Sequence, residues 1–146
     1  MRRYDRNKEA GMRKILGLVI VAAFLVVLVS CMSVVYSRDF RYRTADKDVE
    51  VTEVLTIAGS TFKLEKQSDA GVAMYEGKFQ EQRDTWIFKL DYNKPANGIG
   101  RVIDPPIRYE YQVTGTPDGV RLDGPKIKSR APSIPFLSKG DFVRQR

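Results

Sequence analysis

Residues 86–92 read WIFKLDY and residues 107–113 read IRYEYQV. In the first stretch Trp86, Phe88, Leu90 and Tyr92 alternate with Ile87, Lys89 and Asp91. In the second, Ile107, Tyr109, Tyr111 and Val113 alternate with Arg108, Glu110 and Gln112. An alternation of period two sends one set of side chains to a core and the other to water, which is the pattern of a half-buried β-strand. The same period recurs on both sides. Val49, Val51, Leu55 and Ile57 alternate with Glu50, Thr52 and Thr56, Phe62 and Leu64 with Lys63, and Val120 and Leu122 with Arg121. Residues 72–79 form a less regular strand in which Gly77 reads as a bulge. Ile127 and the pair Phe142–Val143 give weaker strand signals.

Turn chemistry separates the runs. Ala58-Gly59-Ser60, Ser68-Asp69-Ala70-Gly71 and Thr116-Pro117-Asp118-Gly119 are short, and the last suits a tight turn with Gly119 at positive φ. Short links favour antiparallel neighbours in a meander rather than Greek-key crossings. No helical period follows residue 40. The expectation is an all-β domain over residues 48–146, a small antiparallel meander barrel or curled sheet of seven to eight strands. Its expected inward set is Val51, Leu55, Phe62, Leu64, Trp86, Phe88, Leu90, Tyr109, Tyr111 and Val113. The arrangement is loosely similar to small lipocalin-like barrels, in architecture alone. Residues 93–106, with Pro95, Pro105 and Pro106, read as the longest internal connection.

Upstream the pattern changes completely. Ile15 to Tyr36 is 22 residues without a charge, ILGLVIVAAFLVVLVSCMSVVY. As a helix it would rise about 33 Å and be apolar on every face, long enough to cross a bilayer. Six basic residues and two acids precede it within residues 1–14. That excess holds the N-terminus on the cytoplasmic side and sends the rest across. The run is either a signal peptide over residues 1–30 or an uncleaved single span over residues 15–36.

The stretch Leu28-Val29-Ser30-Cys31 bears on this choice. Cys31 is the only cysteine of the 146 residues. The four residues resemble the lipobox of bacterial lipoproteins. An aliphatic residue and small residues there precede the cysteine that takes up lipid. With the basic and apolar regions before it, the resemblance covers the first fifth of the chain. Starting from Met12 gives a leader of ordinary length, so Met12 is a candidate true start. The resemblance implies a lipidated Cys31, a tether over residues 31–47 and a domain exposed to the periplasm or the exterior, on the cell membrane or the outer membrane.

Composition narrows the function. The chain has no histidine, which removes Ser-His-Asp triads, Cys-His dyads and His-based zinc sites. One cysteine allows neither an internal disulfide nor a thiolate metal cage. The net charge of +7 is largely leader charge plus a basic tail, with seven basic residues and two acids in residues 120–146. An exported domain has no use for nucleic acid, so the tail reads as a strip for an envelope protein or an anionic polymer, with Lys126, Lys128 and Arg130 as candidate contacts. Trp86, Tyr109 and Tyr111 are candidate ligand contacts should the barrel enclose a cavity. Asp46, Asp48 and Glu50 share one face of an extended segment, without the glycine and distal glutamate of a calcium loop, and read as a solvated edge. The sequence thus points to a non-catalytic binding or envelope-structural module with no cofactor and no metal. Its alternative is a single-span membrane protein whose β domain serves assembly of a larger complex.

Overall fold

A computed structural model describes residues 32–127 and 136–146. These residues form eight strands: β1 (Ser33–Arg43), β2 (Asp48–Ala58), β3 (Thr61–Ser68), β4 (Gly71–Gln82), β5 (Thr85–Lys94), β6 (Arg101–Thr116), β7 (Gly119–Ile127) and β8 (Gly140–Arg144). Each strand pairs antiparallel with the next, and β8 returns to β1, so the sheet closes into a meander barrel. No helix occurs among the described residues. The hydrophobic leader and Cys31 lie outside them.

The expected inward set is buried as the alternation requires. Leu55, Leu64, Phe88, Leu90 and Tyr111 are fully enclosed, and Val113 packs on the core from its edge. The bulge at Gly77 is present as a register shift after Glu76, and a Cβ there would run into the Lys89 carbonyl. Ile127 and Phe142–Val143 both belong to strands.

Three expectations need correction. Residues 33–43, read as part of a tether, form β1 and pair with β2 along their whole length, from Ser33↔Ala58 to Arg43↔Asp48. The charges hid the alternation, because Arg38 sits on the same face as Tyr36 and Phe40. Its guanidinium lies 4.9 Å from the Phe40 ring centroid and 5.7 Å from that of Phe142, and donates to the Lys139 carbonyl. It follows that Ser33 to Tyr36, the end of the apolar run, are strand and not part of a 15–36 span. The long connection contracts to residues 95–100. Pro105 and Pro106 lie within β6, in a bulge where the register passes from Leu90↔Ile107 to Tyr92↔Val102. Proline has no N–H for the ladder, so an unpaired bulge accommodates it. Finally, the turn before Gly119 forms, but Gly119 is not among the positive-φ glycines. Glycine is needed there for space, since a Cβ would meet the Phe142 carbonyl of β8.

The barrel has two distinct rims. One carries the tight turns at residues 58–61, 82–85 and 116–119, together with the start of β1 and the end of β8. The other carries the links at residues 43–48, 68–71 and 94–101, and the start of β8. Between them the bore is filled. Phe136 enters from the second rim and packs against Phe62, Tyr75, Phe88, Tyr109 and Tyr111, with ring centroids 4.7 to 6.3 Å away.

Candidate binding site at the barrel mouth

Above Phe136 the inward faces of β2 and β3 carry ionisable groups. Glu53 follows Val51 and precedes Leu55 on the buried face of β2, and it is fully buried. Lys66 follows Leu64 on the same face of β3 and is its direct cross-strand neighbour. The Lys66 ammonium lies 2.9 Å from Glu53 Oε1 and also donates to the Phe136 carbonyl. Ser138 Oγ donates to the same Glu53 oxygen at 3.1 Å. Tyr111 OH donates to the Leu137 carbonyl at 2.7 Å. Residues 136–138 are thereby held as a plug by three side chains of the barrel wall. Burial pushes the Tyr111 phenol far up from its ordinary value, and the neighbouring Tyr109 and Glu53 add to the shift. The Tyr75 phenol is raised in the same way, by burial and then by Glu53.

Two acceptors here have no partner among the described residues. Glu53 Oε2 and Asn93 Oδ1 are both buried without a hydrogen bond among the described residues. Asn93 faces inward because the register shift between Leu90 and Tyr92 changes the face of β5, which places it across from Tyr75. A buried acceptor left open costs about 1–3 kcal/mol.

Over this polar layer lies a pocket of about 320 Å³. Its wall is Phe40, Tyr42, Val51, Ala73, Tyr75 and Ala96, and its polar points are Lys66, Ser68 and Ser138. It is the mouth of the barrel at the second rim. The same rim exposes Tyr42, Val72, Ile99 and Val102, with Ile99 91% accessible at the tip of the residue 95–100 loop. At the opposite rim a larger open groove of about 760 Å³ runs along the residue 116–119 turn and the chain end, Val143 to Arg146. Glu53 and Asn93 line neither this groove nor the pocket at the second rim.

The sequence-derived candidates fall elsewhere. Tyr109 and Tyr111 are core residues around Phe136, and Trp86 is buried nearer the other rim. There Trp86 meets Tyr36 and Phe79 edge to face, and its indole N–H donates to Glu81 at 3.2 Å. The bore these aromatics were to line is occupied by Phe136, so they offer no ligand surface. Lys126 is exposed at the end of β7, in register with Glu110. Lys128, Arg130 and Cys31 lie outside the described residues. Asp48 and Glu50 face the β1 arginines, with Arg43 at 4.0 Å from Asp48 and Arg41 bonded to Glu50.

A scan against protein-family models finds no match, and a search of curated proteins finds none either. Sequence reading passed over Glu53 and Lys66, although the signal was there. Each is an ionisable residue at a position where the alternation demands an apolar one.

Proposed function

We propose that this protein is a non-catalytic binding module of a bacterial cell envelope, exported and held to the membrane by a lipid on Cys31. The observation that carries the binding reading is the sealed bore with an open, aromatic-walled mouth at one rim. A small barrel filled by its own side chains cannot enclose a ligand, so recognition falls to the mouth and the exposed rim around it. The chain has no histidine, so chemistry that needs an imidazole is excluded from the mouth.

The anchor reading rests on the Leu28–Cys31 stretch. The start of β1 at Ser33 supports it. If the run at residues 15–32 were a helix, it would be about 27 Å long, at the short end for a full crossing. A lipid on Cys31 needs no such length. In the alternative, the leader stays as an uncleaved span and the rim docks a protein of a larger complex.

Mass spectrometry of the N-terminus of the membrane-extracted protein tests the anchor. A chain beginning at an acylated Cys31 is the expected result, and an intact residue 1–30 segment overturns it. Cys31→Ala is expected to release or mislocalise the lipidated form, and would leave a spanning form in the membrane.

A further inference from the structure

We infer that the first rim, the one with the start of β1, rests on an anionic bilayer, with Arg144 and Arg146 binding lipid phosphates. This rests on the membrane anchor proposed above, and it adds the surface that meets the membrane and the lipid charge it selects.

The first support is chain length. β1 begins at Ser33, two Cα steps after Cys31, so an anchor at Cys31 keeps the start of β1 within about 8 Å of the attachment point. The far rim lies beyond that reach, since the 11 residues of β2 alone run about 36 Å along the wall. A span ending before Ser33 would deliver the chain to the same rim, so the geometry is common to both anchors.

The second is the charge around that entry point. β8 pairs with β1 at Tyr36↔Arg144, and the Gln145 N–H donates to the Val35 carbonyl, so Arg146 falls beside the first residues of β1. Both arginines are exposed, and neither forms an ion pair among the described residues. At the other end of β1, Arg41 and Arg43 are tied to Glu50 and Asp48. The groove of about 760 Å³ beside the seam is lined by Arg144 and Arg146, and Asp118 is the one acid among its described lining residues. A guanidinium fork matches phosphate oxygens. The other charges of this rim, Glu81, Arg83 and Asp84, lie at the β4–β5 turn, across the barrel from β1. The seam is thus the basic side of the rim.

The third is the apolar exposure that flanks the arginines. Met32 is 78% exposed and Val143 is half exposed. Aliphatic side chains next to unpaired cations suit the boundary between headgroups and acyl chains. In this orientation the barrel mouth and the Ile99 loop face away from the bilayer.

Trp86 provides the test. It is the only tryptophan, near the first-rim end of β5, with its ring 5.5 Å from that of Tyr36. The full-length protein, extracted from membranes, is reconstituted into phosphatidylcholine vesicles with or without phosphatidylglycerol. A nitroxide on the lipid headgroup quenches tryptophans that lie close to it. Stronger quenching is expected in the anionic vesicles, and it should weaken in high salt. Each arginine near an anionic surface is worth about fivefold in the ratio of docked to undocked barrels, so Arg144→Gln with Arg146→Gln should lower that ratio about 25-fold. Quenching should then fall to the level of neutral vesicles, while Ile99→Asp at the far rim leaves it unchanged. Thermal melts establish that each variant is folded.

Equal quenching in neutral and anionic vesicles, or in the double variant and the parent, overturns the inference. So does a loss of quenching in Ile99→Asp, which would put the far rim on the bilayer. If the protein floats with the vesicles yet Trp86 is not quenched, the seam is left to a protein partner and the anchor stands. If the protein does not float with them, the anchor itself fails and this inference with it.

Discussion

Replacing Phe136 by alanine probes whether residues 136–138 belong to the core or merely rest on it. Phe136 is 5% exposed and touches five other rings. Truncating a buried phenylalanine costs about 3–5 kcal/mol, depending on how far the surroundings collapse into the gap. Collapse is opposed here. The adjacent backbone is pinned by Lys66 and Tyr111, and the surrounding rings stand on a closed sheet. The loss should therefore fall in the upper half of that range, about 4 kcal/mol. At about 4 °C per kcal/mol for a domain of this size, the melting temperature should drop by about 16 °C. Urea denaturation gives the free energy directly, and an unchanged slope shows that the two-state comparison holds. The cavity would be lined by Phe62, Phe88 and tyrosine rings, so it should stay dry, and benzene should restore part of the stability. A loss under 1 kcal/mol with no response to benzene would refute the filled-bore argument. It would return Tyr109 and Tyr111 to the candidate ligand surface.

Other perturbations address separate parts of the reasoning. Lys66→Met leaves Glu53 buried without its cation and should cost about 3 kcal/mol in urea denaturation; adding Glu53→Leu should recover most of it, since a packed apolar pair replaces the buried ions. Gly77→Ala forces a methyl against the Lys89 carbonyl and should cost about 1–3 kcal/mol, whereas Ile99→Asp on the open loop should stay within about 0.5 kcal/mol of the parent. In acid, Asp141 and Asp69 matter: hydrogen bonding to Arg121 and to Lys47 holds each carboxyl below its ordinary 3.8. Their stabilisation is full above pH 3.8 and fades as the pH falls through the lower folded values, and a melting curve in high salt should flatten the effect because both pairs are exposed. In alkali the sign reverses: the Tyr75 and Tyr111 phenols are raised above 10.0 by burial, so stability is full below pH 10 and declines as the pH rises beyond it. Tyr75→Phe should blunt that decline in pH-dependent denaturation.

Much of the barrel was legible because its strands obey a single physical rule. Trp86 to Tyr92 and Ile107 to Val113 alternate without a break until the bulge near Leu90, and their faces are where the period puts them. What failed has specific causes. In β1, Arg38 takes a core-facing position by lying on aromatic rings, so a strand looked like a charged tether. In β6, two prolines argued for a loop where a bulge absorbs them. The mouth could not be assembled from sequence at all. Its floor joins Glu53 to Ser138, 85 positions away, and neither residue signals the other. Even so, Glu53 and Lys66 broke the alternation at facing positions of adjacent strands. A paired violation of that kind is a recognisable mark of a polar site within an apolar wall.

The seam between β1 and β8 is short, with register pairs at Tyr36↔Arg144 and Ser37↔Val143, backed by the Gln145 amide on the Val35 carbonyl. It joins the first strand to the last. Synthesis from the N-terminal end therefore makes β1 long before its mate. Until β8 arrives, β1 and β7 are bare edges open to any passing strand. Closure of the barrel is a wait for β8, and a holdase that shields β1 during that interval would guard against aggregation.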